Sequence, residues 1–346
     1  MRATARIAAI VLATAALGPF TPISALAAGT CEDDTTPPVV SAIAITPGEV
    51  VVGKIKQSVT ARVSATDDCT IRGSSMSLTY SRVGDVSGGS VFFYGFDLVE
   101  GSAQSGVWEA TEVLSDYQPG GAYEASEIGV YDDSFNTTKM LYPASTRLQV
   151  RGSVEFEVSA PAPARIAAGS ATQLSGYLEL PSRDAAGALE LQALSRTGTW
   201  TRVGPVARAG LTTYSRYSIA VRPTATTRYR LAYLGDAISA PATSTVVTVA
   251  VAPAITAKAA ATTVRLGRTA VVSGAVRPAL PGQSVVLQRQ AGSRWVSLAT
   301  ARIDAKGAYR AVARMGVRGA VVMRVVKGAD RDRLAGASSL VRVQVR

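Results

Sequence analysis

The strongest constraint on the fold is that the second half of the chain repeats one pattern. Residues 281–288 (PGQSVVLQ) give a turn and then an alternating strand followed by Trp295, and residues 187–192 (GALELQ) lead to Trp200 in the same way. Five markers recur in one order at offsets of 92 to 98 residues: Ser175-Gly176 with Ser273-Gly274, Leu191-Gln192 with Leu287-Gln288, Trp200 with Trp295, Tyr217 with Tyr309, and Gly235 with Gly328. Insertions and deletions restricted to turns explain why the offset varies by a few residues while the order of the markers is kept. A repeat length of this size suits a β-sandwich domain of roughly 100 residues.

Composition narrows the fold class and the chemistry. A chain of 346 residues is long enough for two or three domains, and its 47% hydrophobic content supports real cores. Aromatic content is only 6%, and together with the many Val, Ala, Thr and Ser residues this favours short strands over large helical bundles. The chain contains no histidine, and this excludes Ser-His-Asp and Cys-His catalysis, His-ligated zinc and histidine pH switches.

Charge is divided unevenly along the chain. Residues 28–158 hold 8 Lys and Arg against 18 Asp and Glu, residues 159–252 hold 9 against 4, and residues 253–346 hold 17 against 3. One interpretation is that the basic part binds anionic wall polymers, acidic lipid headgroups or nucleic acid. The other is that its arginines fill the solvent-facing positions of strands, as the alternation of residues 341–346 (VRVQVR) indicates.

Residues 1–27 have the pattern of a secretory signal peptide. Arg2 and Arg6 form the positive region, the apolar run spans 7–17, and Ala-Leu-Ala at 25–27 is the cleavage signal. The apolar run is too short to span a bilayer, and we expect no later membrane span. A lipid anchor is the alternative, but the residues before the first cysteine do not favour it. The predicted mature protein is secreted and extracellular, or associated with the cell envelope.

The first module is predicted at residues 28–158, the second at 159–252 after a stiff Ala-Pro-Ala-Pro linker, and the third at 253–346. Seven short runs of the first module have strand character and are separated by turn signals. They are Val39–Thr46, Ser58–Ala65, Ser75–Val83, Ser90–Leu98, Gly106–Leu114, Ala122–Tyr131 and Ser153–Ser159.

The repeat, with its Ser-Gly, Leu-Gln, Trp and Tyr markers, resembles the bacterial immunoglobulin-like modules of secreted and cell-surface proteins. The first module resembles another such family through its Asp-Thr-Thr-Pro-Pro opening and the stretches 66–68 (TDD), 106–108 (GVW) and 131–136 (YDDSFN). That last motif usually carries glycine before the asparagine, whereas here Phe135 stands at that position. The resemblance implies an all-β protein of three tandem immunoglobulin-like β-sandwich domains behind the signal peptide. It also implies that the shared Trp and Tyr residues pack in cores.

Cys31 and Cys69 are the only cysteines. In an exported chain a lone pair usually forms a disulfide, and we predict one here. Free thiols or a redox role are the alternatives, although no C-x-x-C motif is present. The bond would fix the N-terminal segment beside the strand that ends near Ala65.

The best candidate for a metal site is a set of acidic residues in the first module. Calcium takes six to eight oxygen ligands and accepts them from loops. No D-x-D-x-D-G loop is present, so solvated turn carboxylates are the alternative. The candidates are Asp67, Asp68, Asp132 and Asp133, with the preceding pair Asp33 and Asp34.

Trp108, Trp200 and Trp295 are either core residues, which we predict, or sugar-stacking platforms. No motif selects a carboxylate pair for glycoside cleavage, so we expect no catalytic residues, no cofactor besides calcium, and no enzyme. The predicted function is secreted adhesion, scaffolding or envelope association. The alternatives are docking of anionic envelope polymer by the basic third domain, and calcium-dependent interaction. We expect a wall polymer or another surface protein as partner, and no nucleic acid; the oligomeric state stays open.

Overall fold

A computed structural model describes residues 31–84, 89–140, 146–182, 184–205 and 214–346. The predicted signal peptide lies outside the described residues. Within those ranges, no helix has both the length and the apolar character needed to cross a bilayer. Regular structure there is strand, apart from the short 3-10 turns Cys31–Asp33 and Gly73–Ser75.

The first module is a sandwich of two sheets, ordered β1-β3-β7-β6 and β2-β10-β8-β4-β5, with β9 added on β8. Its strands are β1 (Val39–Thr46), β2 (Glu49–Val52), β3 (Gln57–Thr66), β4 (Ser77–Arg82), β5 (Ser90–Tyr94), β6 (Asp97–Ser102), β7 (Ser105–Leu114), β8 (Gly121–Tyr131), β9 (Thr137–Met140) and β10 (Arg147–Gly152).

The second module has sheets β11-β13-β16 and β12-β19-β17-β14-β15, with β18 on β17. Its strands are β11 (Glu155–Val158), β12 (Arg165–Ala167), β13 (Thr172–Glu179), β14 (Leu189–Leu194), β15 (Trp200–Pro205), β16 (Tyr214–Val221), β17 (Thr227–Tyr233), β18 (Ala242–Thr243) and β19 (Val247–Ala252).

The third module repeats this plan: β20, β21 and β26 pair with β23, and the larger sheet runs β22-β29-β27-β24-β25 with β28 on β27. Its strands are β20 (Ala254–Ile255), β21 (Lys258–Ala259), β22 (Thr263–Val264), β23 (Thr269–Arg277), β24 (Ser284–Ala291), β25 (Arg294–Arg302), β26 (Ala308–Arg314), β27 (Gly319–Lys327), β28 (Gly336–Ala337) and β29 (Val341–Val345).

All three modules share one strand order. In each larger sheet a short strand near the module's start runs parallel to its last strand: β2 on β10, β12 on β19, and β22 on β29. The remaining pairings between these strands are antiparallel, and each module encloses its own apolar cluster. Alternation explains why the strands form: in β3, for example, every second residue from Val59 to Ala65 is buried.

Two sequence predictions for the first module are wrong. The strand predicted at Ser153–Ser159 belongs to the second sandwich, because β11 pairs with β13 and Phe156 packs against the second core. The single strand predicted at Ser90–Leu98 is two strands in different sheets. Gly95, at φ 64°, turns the chain between them, and that left-handed conformation favours glycine.

The modules are joined through one kind of loop. The loop after β17 contacts the first module: Gly152 donates to Ile238 O and accepts from Ala240 N, both at 2.9 Å. Gly120 fits the same junction because a Cβ there would overlap the Ile238 carbonyl. These main-chain hydrogen bonds connect the loop after β17 to the end of β10 in the first module.

The equivalent loop after β27 contacts the second module. Thr226 N donates to Asp332 O at 2.7 Å, and Leu334 N donates to Val251 O at 2.8 Å. Arg196 adds an ion pair with the Asp332 carboxylate. The second and third modules therefore each contact the preceding module through an equivalent loop, the one after β17 and the one after β27.

Candidate functional site

Acidic residues converge at the end of the first module where the described chain begins. Asp132 is fully buried and accepts from Asn136 N at 2.8 Å and from Asn136 Nδ2 at 3.0 Å. The same Nδ2 donates to Asp34 Oδ2 at 3.1 Å. Carboxylate oxygens of Asp34 and Asp67 lie within 4.8 Å of each other and of Cys69 Sγ. We call Asp34, Asp67, Asp68 and Asp132 the acidic cluster.

The disulfide borders this cluster. Cys31 and Cys69 are bonded, with their Cα atoms 5.7 Å apart, so the predicted pairing is confirmed. Because the Cys69 sulfur is committed to that bond, only carboxylates remain as ligands. Asp133, the fourth predicted ligand, is turned instead toward Arg72, whose Nε donates to its Oδ1 at 2.5 Å. Asp33 lies exposed in the first 3-10 turn.

Two carboxylate oxygens of the cluster, Asp67 Oδ2 and Asp68 Oδ1, are buried and have no hydrogen-bond partner among the described residues. Burial raises the pKa of the Asp67 carboxyl to about 6, the hydrogen bond from Cys69 N opposes that rise, and the charges of Asp132, Asp68 and Asp34 add to it. Buried oxygens without donors cost free energy, which a bound cation or proton would offset.

The raised pKa of Asp67 predicts a specific pH dependence. The folded state binds this proton more tightly than the unfolded state, so the stability of the first module falls as the pH rises from about 4 to about 6. We expect the free energy of unfolding of Asp67→Asn, relative to that of wild type, to rise with pH across that window. Above about pH 6 the difference between the two proteins should stay constant. Chemical denaturation in chelator, followed by Trp108 fluorescence at several pH values, measures this difference. A difference that is flat with pH would contradict it.

The loop after β8 carries Phe135 in the left-handed conformation, at φ 64°. The turn that the related motif makes with glycine is therefore kept, at a backbone cost of roughly 1 kcal/mol. The Phe135 ring is exposed and lies under the Arg72 guanidinium, with 4.8 Å between the ring centroid and Arg72 Cζ. The same arginine therefore contacts both Phe135 and Asp133. The loop is equivalent to those after β17 and β27, but here it contacts the N-terminal segment.

The prediction that all three indoles are core residues is right for Trp108 and wrong for the other two. Trp108 is 2% exposed. Trp200 and Trp295 are half-buried on the outer face of their larger sheets, each beneath an arginine. The guanidinium carbon lies 4.4 Å from the ring centroid for Arg230 over Trp200, and 4.0 Å for Arg324 over Trp295.

These two stacks are built alike. A glutamine on the neighbouring strand accepts from the arginine Nε: Gln288 from Arg324 at 3.0 Å, and Gln192 from Arg230 at 2.9 Å. The glutamines are the Leu-Gln markers of the repeat, so that marker is explained by its position beside the stack. Cation–π contacts of this kind contribute about 0.5–1 kcal/mol at exposed sites.

The third module has two sheet faces without negative charge. Its three acidic residues all lie in loops. Asp304 accepts from the main-chain N of Lys306 and Ala308, both at 2.8 Å. Asp330 accepts from Lys327 Nζ at 2.9 Å, and Asp332 pairs with Arg196 of the second module.

The larger sheet of the third module carries further arginines on the same outer face as its stack. β24 and β27 place Gln288 beside Arg324, β29 places Arg342 beside Val322, and β25 adds Arg302. We call Arg302, Arg324, Arg342 and Trp295 the stack face. Among described residues no acid pairs with its arginines, because every acidic side chain of the module is held elsewhere. Uncompensated guanidinium groups on one sheet face are suited to binding an anionic ligand.

The strand order defines the class of protein: each module is an immunoglobulin-like sandwich, and the chain carries three of them in tandem. No family model matches the chain, and no curated protein matches it.

Solved structures similar to the chain are multi-domain immunoglobulin proteins. The I-band fragment I67–I69 from titin is 9% identical with a TM-score of 0.39, covering 90% of this chain and 100% of that one. The ICAM-5 D1–D4 ectodomain fragment is 15% identical with a TM-score of 0.36, covering 90% and 77%. A tetra-tandem repeat in the extending region of a large adhesion protein is 16% identical with a TM-score of 0.35, covering 88% and 74%.

Proposed function

We propose that this protein is a non-catalytic extracellular scaffold that attaches to an anionic envelope polymer through its third module. The observation that carries this is the charge of that module: 17 Lys and Arg against 3 Asp and Glu, with all three acids engaged in loops. The disulfide fits an oxidising, extracellular location. Main-chain hydrogen bonds at both junctions fit a scaffold that holds its modules at fixed spacing.

The stack face is the surface assigned to the polymer. Acidic or phosphate groups of such a polymer accept hydrogen bonds from guanidinium groups. The stack in the second module is less suited, because Glu190 lies 3.5 Å from Arg202 on the same sheet and offsets its charge. Attachment therefore belongs to the third module, and the first two extend away from it.

Reversing charge on the stack face should weaken polymer binding strongly. We expect Arg302→Glu/Arg342→Glu to weaken binding of full-length protein to alginate or to poly(glycerol phosphate) by at least about tenfold at 50 mM salt, since two attractive contacts become repulsive. Sedimentation with the immobilised polymer measures this, with dextran as the neutral control.

A matched variant separates this face from overall charge. Arg310→Glu/Arg314→Glu makes the same change in net charge on the opposite sheet of the module. It should weaken binding much less. Equal loss in both double variants would contradict the assignment of the stack face, and wild-type protein that ignores both anionic polymers would refute the proposed function.

We propose calcium binding by the acidic cluster as a second function of the first module. The specific observation is the pair of buried oxygens, Asp67 Oδ2 and Asp68 Oδ1, without donors. Calcium accepts carboxylate oxygens from loops that are distant in sequence, and Asp34, Asp67 and Asp132 come from three such segments. Bound calcium would fix the N-terminal segment to the loop after β8.

Calcium should raise the melting temperature of the first module. Binding only to the folded state stabilises it by mass action, so we expect several degrees of difference between 1 mM calcium and chelator. Asp67→Asn should remove the difference, whereas Asp116→Asn, an exposed loop carboxylate in the same module, should retain it. Scanning calorimetry measures both, and equal midpoints with calcium and chelator would contradict the proposal.

A further inference from the structure

The smaller sheets of the second and third modules present equivalent outer faces of opposite character. Their equivalence is fixed by one contact: Gly176 lies opposite Tyr217, whose hydroxyl donates to Glu157 O at 2.8 Å. In the third module Gly274 lies opposite Tyr309, whose hydroxyl donates to Thr256 O at 2.6 Å. Counting along the strands from these anchors places Glu179 and Arg277 at the same position of the two faces.

The face of the second module is rich in tyrosine and carries three glutamates against one arginine, Arg216, so its charge is negative. Cross-strand rows place Glu157 beside Tyr177 and then Arg216, and Glu155 beside Glu179 and then Tyr214. Tyr177 donates its hydroxyl hydrogen bond to Glu157, and Tyr214 donates to Glu179. The two rings lie 6.2 Å apart, and Tyr214 is 64% exposed.

This acidic face continues into a cleft between the first two modules. The cleft has a volume of about 700 Å³, and Glu155, Glu179 and Tyr214 line it together with Asp116 and Asp184. Lys54 of the first module pairs with Glu155 at 2.7 Å, so one carboxylate is already offset. The remaining carboxylates and the exposed rings are the groups that bind guanidinium side chains.

The face of the third module is basic. Its central row places Lys258, Ser273 and Arg310 side by side on three strands. Arg277 lies two rows along on the central strand, and Arg314 two rows along on β26 in the other direction. All four cations are exposed, and no acidic residue lies on this sheet among the described strands.

We propose that the acidic face of the second module binds the basic face of the third module of a second copy of this chain. The occupant is argued from charge: the same sheet face carries three glutamates against one arginine in one repeat, and three arginines and a lysine without an acid in the next. Such a contact joins two different patches, so it builds either a growing chain of molecules or a reciprocal antiparallel pair. The contact uses the sheet opposite the stack face and therefore does not depend on polymer binding.

Two variants and their mixture test the proposal. Glu157→Arg/Glu179→Arg makes both faces basic, and Arg277→Glu/Arg310→Glu makes both faces acidic. We expect the wild-type full chain at about 50 μM in 20 mM salt to show at least a twofold rise in mean molar mass by sedimentation velocity. Each double variant alone should be monomeric, because like charges meet at the contact. An equimolar mixture should associate, since each partner supplies the face that the other lacks.

Other outcomes overturn the proposal. A monomeric wild-type chain at low salt would refute it, as would double variants that associate as well as wild type. A mixture that stays monomeric while circular dichroism shows both variants folded would also refute it. The Arg302→Glu/Arg342→Glu variant should associate like wild type while losing the polymer, so failure of one proposal is distinguishable from failure of the other.

Discussion

Removing the disulfide should destabilise the first module by about 4 kcal/mol. The bond closes a loop of 38 residues, and chain-entropy arguments assign about that stabilisation to a loop of this length. In the double variant Cys31→Ser/Cys69→Ser, the N-terminal segment loses its covalent attachment to the loop after β3. That loop carries Asp67 and Asp68, so the loss also loosens the acidic cluster.

Trp108 makes the measurement specific to one module. It is buried in the first core, and the other two indoles belong to the second and third modules. In a Trp200→Phe/Trp295→Phe background, urea unfolding followed by fluorescence reports the first module alone. Reductant should lower the midpoint of the disulfide-containing protein to that of the double serine variant, and it should leave that variant unchanged. Equal midpoints with and without the bond would contradict a stabilising role.

The sequence predicted the class of fold because alternation and turns are local signals. The predicted strand Val39–Thr46 is β1 as observed, and the valines of β29, such as Val343, are buried while Arg342 faces solvent, as the alternation of residues 341–346 predicts. The short parallel strands β2, β12 and β22 were not predicted. They have two to four residues, too few to show a period, and their pairing with the module's last strand is a long-range contact.

Strand alternation alone could not predict which face of the sheet Trp200 and Trp295 lie on. Their strands are edge strands, and each contains one extra residue relative to its neighbour: Val203 opposite the step from Leu191 to Gln192, and Leu298 opposite the step from Leu287 to Gln288. Such a shift changes which residues oppose one another, so counting alternate positions no longer fixes the buried side. The Leu-Gln marker did hold a usable signal, because its glutamine lies on the outer face beside the arginine.

The acidic cluster was predicted only in part for a related reason. Asp67 and Asp132 were candidates because acidic residues repeat near strand ends. Which of them converge depends on the N-terminal segment, which brings Asp34 in, and on Arg72, which draws Asp133 away. Charge patterning places carboxylates in loops, and only the fold brings those loops together.

Gly274 is the glycine of the Ser-Gly marker in the third module. Gly274→Ala should destabilise that module by about 3 kcal/mol. A Cβ at Gly274 would overlap the carbonyl oxygen of Thr256 and lie 2.8 Å from Tyr309 Oη. The carbonyl belongs to the main chain beside β20 and cannot move aside without breaking the edge pairing, so the cost is that of an overpacked core. Fluorescence of Trp295, with the other two indoles replaced by phenylalanine, follows the unfolding of this module in urea.

The control for that substitution is Gly316→Ala in the same module. Gly316 has no atom within 4 Å of the added carbon and no left-handed backbone, so its change should stay within about 0.5 kcal/mol. Tyr309→Phe alone should cost about 1 kcal/mol, because it removes the 2.6 Å hydrogen bond to Thr256 O. Combined with Gly274→Ala it should cost less than the two separately, since the hydroxyl that crowds the new methyl is gone. Additive losses of stability would show that Gly274 and Tyr309 act independently. A Gly274→Ala variant as stable as Gly316→Ala would show that close contact with the Thr256 carbonyl does not require glycine at position 274.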